Sequence, residues 1–349
     1  MNGTSEDSRP AKAPAFGGSG DASLFPGIME TAARSYHGCG EASSVCIFCA
    51  DLCCPAAEAV SNLADEVGRV PVPVVCDSRV PGWVGPGTDA ILVSYSGDCP
   101  AVLTARETLR ARGCRIHAVT SGGQLLRGFS RGEDLALVPA GLGPSGAVAS
   151  VLGTLCAMVS GMGVLDAMPH LRRAADSARA RMDDLDRVAS AAATKLSGGV
   201  VAAYSASDVS ACSRRVMDAV RQSTGDLSFY GELPEFDHNE LVGWSDPNAH
   251  APELRMLVLR SGRSGGLVAI IVECMMEVLE ENSRDVASAG LGDGGSLSRN
   301  VAGMILADMI AGRLARWPTY RSRSSCSASS TTWRGRWTAT PPGPSTATT

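Results

Sequence analysis

Apolar positions along the chain fall into two alternating kinds of stretch. Short runs at Val45–Phe48, Val72–Cys76, Ala90–Val93 and Arg115–Val119 are separated by segments 55–67 and 100–112, where apolar residues return at helical spacing. Asp134–Val138 supplies one more strand, and a helix is expected to start near Leu24. Runs that are apolar at every position suit strands buried on both faces, the situation of parallel sheets with helices above and below. Residues 146–164 carry no charge until Asp166 and read as a core or interface helix rather than a membrane span. Segment 167–196 reads as one connecting amphipathic helix, with Leu171, Ala175, Ala178, Met182, Leu185 and Val188 near helical spacing in a charged background. The pattern then repeats over 197–315, with strands at Val200–Tyr204 and Arg255–Leu259 and helices over 207–222, 267–282 and 297–314. The expected fold class is α/β: two subdomains, 23–166 and 197–315, each a doubly wound, flavodoxin-like parallel sheet flanked by helices.

Composition narrows this picture at the ends and in its partners. Residues 1–22 are rich in Gly, Ser, Ala and Pro without periodicity and are expected to form a disordered arm. After Ala315 the chain turns abruptly to Arg, Ser, Thr, Trp and Pro, so 316–349 is expected to be a disordered tail, with the abruptness of an out-of-frame extension. The charge balance is mildly acidic, 31 Lys+Arg against 36 Asp+Glu, which argues against a nucleic-acid partner. With no charged-then-apolar start, neither secretion nor a membrane partner is expected, and the cytoplasm is the expected location.

The 12 cysteines are scattered through apolar segments and read as buried thiols rather than a disulfide framework. Cys46, Cys49, Cys53 and Cys54 contain a Cys-x-x-Cys pair, a common zinc half-site. Cys46 and Cys49, however, stand at odd separation on a strand and point to opposite faces, and no second Cys/His pair has ligand spacing. No metal site and no cofactor are expected.

The stretch Ala90–Pro100 carries the clearest chemistry. A buried strand feeds Ser94-Tyr95-Ser96-Gly97, and a helix with Pro100 in its first turn follows, so two hydroxyls and a glycine meet the positive end of a helix. Ser-Gly turns also serve simply to bend the chain. Followed by Ala118-Val119-Thr120-Ser121-Gly122-Gly123-Gln124-Leu125, however, this one resembles the sugar-isomerase (SIS) domain, whose hydroxyls hold the phosphate of a phosphosugar.

Gly231-Glu232-Leu233-Pro234-Glu235-Phe236-Asp237-His238-Asn239-Glu240-Leu241-Val242-Gly243-Trp244, with Val72–Val75 and Val80–Val84, is similar to the bifunctional phosphoglucose/phosphomannose isomerase family. The resemblance implies two SIS domains, a C-terminal one of that family's type, and a homodimer with active sites at the subunit interface. It also implies a phosphosugar substrate, with glucose 6-phosphate or mannose 6-phosphate converted to fructose 6-phosphate.

It assigns phosphate binding to Ser94, Ser96, Gly97 and Cys99, and ring opening to His238, flanked by Asp237 and Glu240. Several positions depart from the family. Gln222 stands where the family has its glutamate base, and an amide can hold a hydroxyl but not take a proton, so another carboxylate, Glu235, is the expected substitute. Pro144-Ser145 replaces Pro-Arg, and Asp98-Cys99 replaces Asn-Thr. The family's Gly-Gly-Ser turn becomes Cys49–Cys54 with Asp51 in it, and no lysine follows Lys195. These losses favour an alternative reading as a catalytically reduced protein that binds or senses sugar phosphates; a purely structural dimer is the third.

Overall fold

The computed structural model describes residues 21–36, 38, 40–129, 133–246, 253–262, 266–281 and 286–316, so the expected arm and tail lie almost wholly outside the described residues. The first subdomain runs α1 (Phe25–Arg34), β1 (Val45–Cys49), α2 (Cys54–Val67), β2 (Val74–Val75), β3 (Asp89–Val93), α3 (Pro100–Ala111), β4 (Arg115–Thr120), α4 (Gly123–Arg127), β5 (Asp134–Leu137) and α5 (Pro144–Gly161). Next come α6 (Met168–Ala180) and α7 (Met182–Leu196). The second subdomain contains β6 (Val200–Ala206), α8 (Ser210–Thr224), β7 (Ser228–Leu233), α9 (Glu235–Asn239), α10 (Leu241–Ser245), β8 (Leu254–Arg260), α11 (Leu267–Glu281), β9 (Ala287–Gly290) and α12 (Ser296–Leu314).

Among the described residues every strand pair is parallel, in the orders β2-β1-β3-β4-β5 and β7-β6-β8-β9. The α/β class expected from the sequence is the class observed. In such sheets the winding reverses between β1 and β3, and again between β6 and β8, which opens a crevice at the carboxyl ends of those strands.

Burial explains the apolar runs. On β1, Cys46 and Phe48 pack with Val102, Ala105 and Leu109 of α3, while Ile47 and Cys49 face the other way. That second face belongs to a core shared by both subdomains, which includes Val60 and Leu63 of α2, Leu152 of α5, Val216 of α8 and Ile305 of α12. Helix α5 is long and apolar enough to cross a membrane by length and composition, but 83% of that stretch is buried inside the protein, as a core helix is.

Three expectations need correction. The single connecting helix over 167–196 is two helices, broken at Arg181, whose guanidinium donates to Leu291 O at 2.6 Å and Gly290 O at 3.1 Å. The run Val72–Cys76 pairs only at Val74 and Val75, since Pro71 and Pro73 have no N–H to give a ladder. Strands β7 and β9 were not expected: β7 is an edge strand with Phe229 and Tyr230 exposed, and β9 is a short run of small residues.

Helix α1 lies so close to α5 that a Cβ at Gly153 would stand 2.0 Å from Met29 O, whereas one at Gly27 meets nothing within 4 Å. Gly153→Ala is therefore expected to lower unfolding free energy by about 1–3 kcal/mol, and Gly27→Ala to raise it by up to about 1 kcal/mol. Urea denaturation checks both, and a Gly153→Ala protein as stable as the parent contradicts the close packing.

Candidate functional site

At the carboxyl edge of the first sheet, two turns are locked together by contacts only glycine permits. Gly97 and Gly123 have φ of +71° and +68°, and a Cβ on them would lie 1.8 Å from Gly122 O and 2.2 Å from Ser96 O. Backbone bonds Ser121 N–H to Tyr95 O (2.9 Å) and Leu125 N–H to Gly97 O (2.8 Å) complete the clasp. Tyr95 then ties it to the segment before α5, donating its hydroxyl proton to Pro139 O (2.8 Å) and accepting from Leu142 N–H (2.9 Å). The β3–α3 turn is thus a rigid platform.

On it, Ser94 is buried and its hydroxyl accepts from Gly97 N–H at 3.2 Å. Ser96 is exposed, accepting from Asp98 N–H at 3.2 Å. Cys99 is half-buried at the start of α3, and no side chain caps this 12-residue helix. Asp98 engages α4: it accepts from Gln124 N–H at 2.9 Å and lies 3.8 Å from Arg127.

The corresponding turns elsewhere are filled by the protein's own acids. After β6, Asp208 pairs with the buried Arg299 at 2.9 Å and accepts from the Ser261 hydroxyl at 3.0 Å. Glu66 accepts from Ser296 N–H at 2.6 Å, capping α12. After β1, Asp51 sits at φ +68° and accepts from Cys53 N–H at 3.1 Å. Its residue surface stays accessible, yet nearby protein desolvates the carboxyl enough to lift it to about 6.

The remaining residues assigned from the sequence lie on the second subdomain. Gln222 is exposed in the last turn of α8, its amide oxygen 3.5 Å from Arg215 Nη1. His238 and Glu235 share α9, both exposed, and Glu235 accepts from Asn239 Nδ2 at 2.6 Å. Glu240 accepts from the Tyr204 hydroxyl at 2.5 Å, and Trp244 Nε1 donates to that hydroxyl at 3.3 Å. Among the described residues, no hydrogen bond or ion pair joins Ser94, Ser96 or Cys99 to Gln222, Glu235 or His238 within one chain. Ser145 is buried, its hydroxyl without a partner among the described residues, so the position does not open onto the crevice.

The fold also gathers groups that sequence reading left apart. Glu58 of α2 accepts from Arg214 Nη1 of α8 at 2.6 Å, and that guanidinium stands 5.7 Å from the Tyr230 ring centre. Burial pushes the Glu58 carboxyl up to about 7 against the pull of Arg214. The thiols of Cys49, Cys54 and Cys76 converge beside them. Cys76 is held well below the usual thiol range by hydrogen bonding to Cys49 and Cys54, with help from Arg214. Cys46 and Cys49 do face opposite sides of β1, as their spacing implied; Cys76 completes the cluster instead. Only the pairing of β2 with β1 brings it there.

Residues 185–318 match the model of the bacterial phospho-glucose isomerase C-terminal SIS domain. The chain is 25% identical over 212 residues to the bifunctional phosphoglucose/phosphomannose isomerase of Aquifex aeolicus, covering 60% of this chain and 64% of that protein. It is 41% identical over 78 residues to the enzyme of the same name from Thermoplasma acidophilum, 22% of this chain and 24% of that one. The matched parts thus span less than two thirds of these relatives.

In fold, the chain is similar to the C-terminal domain of glucosamine-fructose-6-phosphate aminotransferase from Francisella tularensis (TM-score 0.66, 10% identity, 84% of this chain and 94% of that one). It is also similar to tagatose-6-phosphate ketose/aldose isomerase from Escherichia coli (TM-score 0.61, 13% identity, 84% and 86%).

Glu58 sets a pH signature. A carboxyl whose folded pKa of about 7 exceeds its usual 4.5 stabilises the fold below pH 4.5 and loses that contribution as pH rises through 7. Relative to Glu58→Gln, the parent is expected to lose stability across this window by at most about 1.4 kcal/mol per pH unit, with no further trend above pH 8. Chemical denaturation at several pH values checks it, and an opposite or absent slope contradicts the assignment.

Proposed function

From the match of residues 185–318 to the bacterial phospho-glucose isomerase C-terminal SIS domain and the similarity to bifunctional phosphoglucose/phosphomannose isomerases, we propose that the chain binds a hexose 6-phosphate and interconverts the aldose, glucose 6-phosphate or mannose 6-phosphate, with fructose 6-phosphate. One observation carries this reading: the exposed Ser96 hydroxyl stands beside the uncapped amino end of α3, on a platform that cannot relax. Backbone N–H groups there and the helix dipole favour a doubly charged phosphate. Ser94 and Gly97 hold the turn, and Cys99 borders it.

In the proposed reaction His238 passes a proton to the ring oxygen as the anomeric hydroxyl loses its own, opening the sugar. A carboxylate then takes the proton from C2 and returns it to C1 through an enediolate. Glu235, three residues before His238 on α9, is the proposed base, and Gln222 holds a substrate hydroxyl. A second copy of the chain brings His238 to the phosphate, forming a homodimer. The exposed Leu227, Phe229, Val242 and Ile270 on the second subdomain support such an interface. A phosphorylated metabolite as substrate fits work in the cytoplasm, without a membrane or nucleic-acid partner.

A second reading, binding without turnover, is favoured by the amide at Gln222 and by the hydrogen bond that engages Glu235 with Asn239.

Glucose 6-phosphate is expected to raise the melting temperature, and Ser96→Ala to weaken its binding about tenfold or more, as loss of one hydrogen bond to a charged group does. A coupled assay on fructose 6-phosphate formation separates the two readings: turnover supports isomerisation, and binding without turnover supports the second. Because Gln222 is exposed, Gln222→Glu is expected to fold and to raise turnover by at least about 100-fold. Unchanged turnover in that variant overturns the placement of Gln222 at the substrate.

A further inference from the structure

We propose that Cys49, Cys54 and Cys76 form a binding site for one soft d10 cation, Zn²⁺ in the first place, with a fourth coordination position left to water. The site is independent of the sugar-phosphate reading. It is built by topology. β1 and β2 run parallel with Phe48 beside Val75, so the next residues, Cys49 and Cys76, leave the sheet side by side. Cys54 is the first residue of α2, delivered by the four-residue turn, 50–53, after β1.

Cys49 Sγ lies 3.4 Å from Cys54 Sγ and 3.7 Å from Cys76 Sγ, and all three sulfurs fall within 4.8 Å of one another. Tetrahedral zinc with Zn–S bonds of about 2.3 Å places its sulfurs about 3.8 Å apart, so a metal ion fits between these thiols with little movement.

Burial and charge suit the same occupant. Cys49 and Cys54 are buried and Cys76 is exposed, which gives two fixed ligands and an entry side. Three thiolates around Zn²⁺ leave one net negative charge, and the Arg214 guanidinium acts on Cys54 and Cys76 from the second subdomain. Thiolate sulfur selects Zn²⁺, Cd²⁺ or Cu⁺ over harder cations. The neighbouring Cys53 and Cys46 are not part of the group; Cys46 packs on the opposite face of β1.

The test uses the full chain, fully reduced and stripped with a chelator. Zn²⁺ is titrated against a chromophoric chelator, and Cd²⁺ is titrated while the ultraviolet thiolate-to-metal charge-transfer band is followed. One equivalent per chain, a band of three-thiolate intensity and a raised melting temperature are expected. Cys76→Ser, at an exposed position, is expected to fold, to weaken binding at least about tenfold and to abolish the thermal shift, while Cys114→Ser leaves both unchanged. Failure to bind Cd²⁺ or Zn²⁺ stoichiometrically overturns the proposal. So does a band that survives unchanged in Cys76→Ser, or a Cys49–Cys54 disulfide that forms in preference to metal binding when equimolar Zn²⁺ is present.

Discussion

The close approach of two backbone turns, Gly97 against Gly122 and Gly123 against Ser96, is the constraint on which the candidate site depends. A side chain at Gly97 or Gly123 would overlap a carbonyl oxygen, so the turns after β3 and β4 pack as one unit. Their rigidity matters because an anion site made from helix-terminal N–H groups works only if those groups stay aimed without rearrangement. Tyr95 extends the unit to the segment ahead of α5, so the platform is continuous with the shared core.

The two subdomains use the same topology differently. In the second, the turn after β6 is closed by its own chemistry: Asp208, Arg299 and Ser261 satisfy one another, and the fully buried Arg215–Asp308 pair binds α8 to α12. Removing one partner from a buried pair of this kind typically costs about 3–5 kcal/mol, so these groups are structural commitments rather than free ligands. In the first subdomain the turn after β3 keeps an accessible hydroxyl and an uncapped helix. On the proposed reading, this asymmetry puts ligand binding on the first sheet, with the imidazole of α9 meeting it from the second.

Much of this was legible in the sequence. Runs apolar at every position announced strands covered on both faces, and Ser94–Gly97 before a proline-led helix announced the platform. What stayed hidden depended on register and distance. Strand β7 carries exposed aromatic residues at a sheet edge, so its own residues lack the burial signal. Glu58 and Arg214 are 156 residues apart and meet only because α2 packs on α8. Cys76 joins Cys49 through a two-residue strand whose pairing no spacing rule encodes. The hydrogen bond from Gln124 N–H to Asp98, which ties the two turns together, also depends on a contact across 26 residues.

The most direct measurement is a crystal structure of the chain with glucose 6-phosphate bound. The account predicts phosphate oxygens within hydrogen-bond distance of the Ser96 hydroxyl and the first N–H groups of α3, with His238 of a second copy beside the sugar ring. Phosphate held instead in the roughly 210 Å³ cavity lined by His170, Arg173 and Ser298, or a platform left empty at saturating ligand, would contradict it.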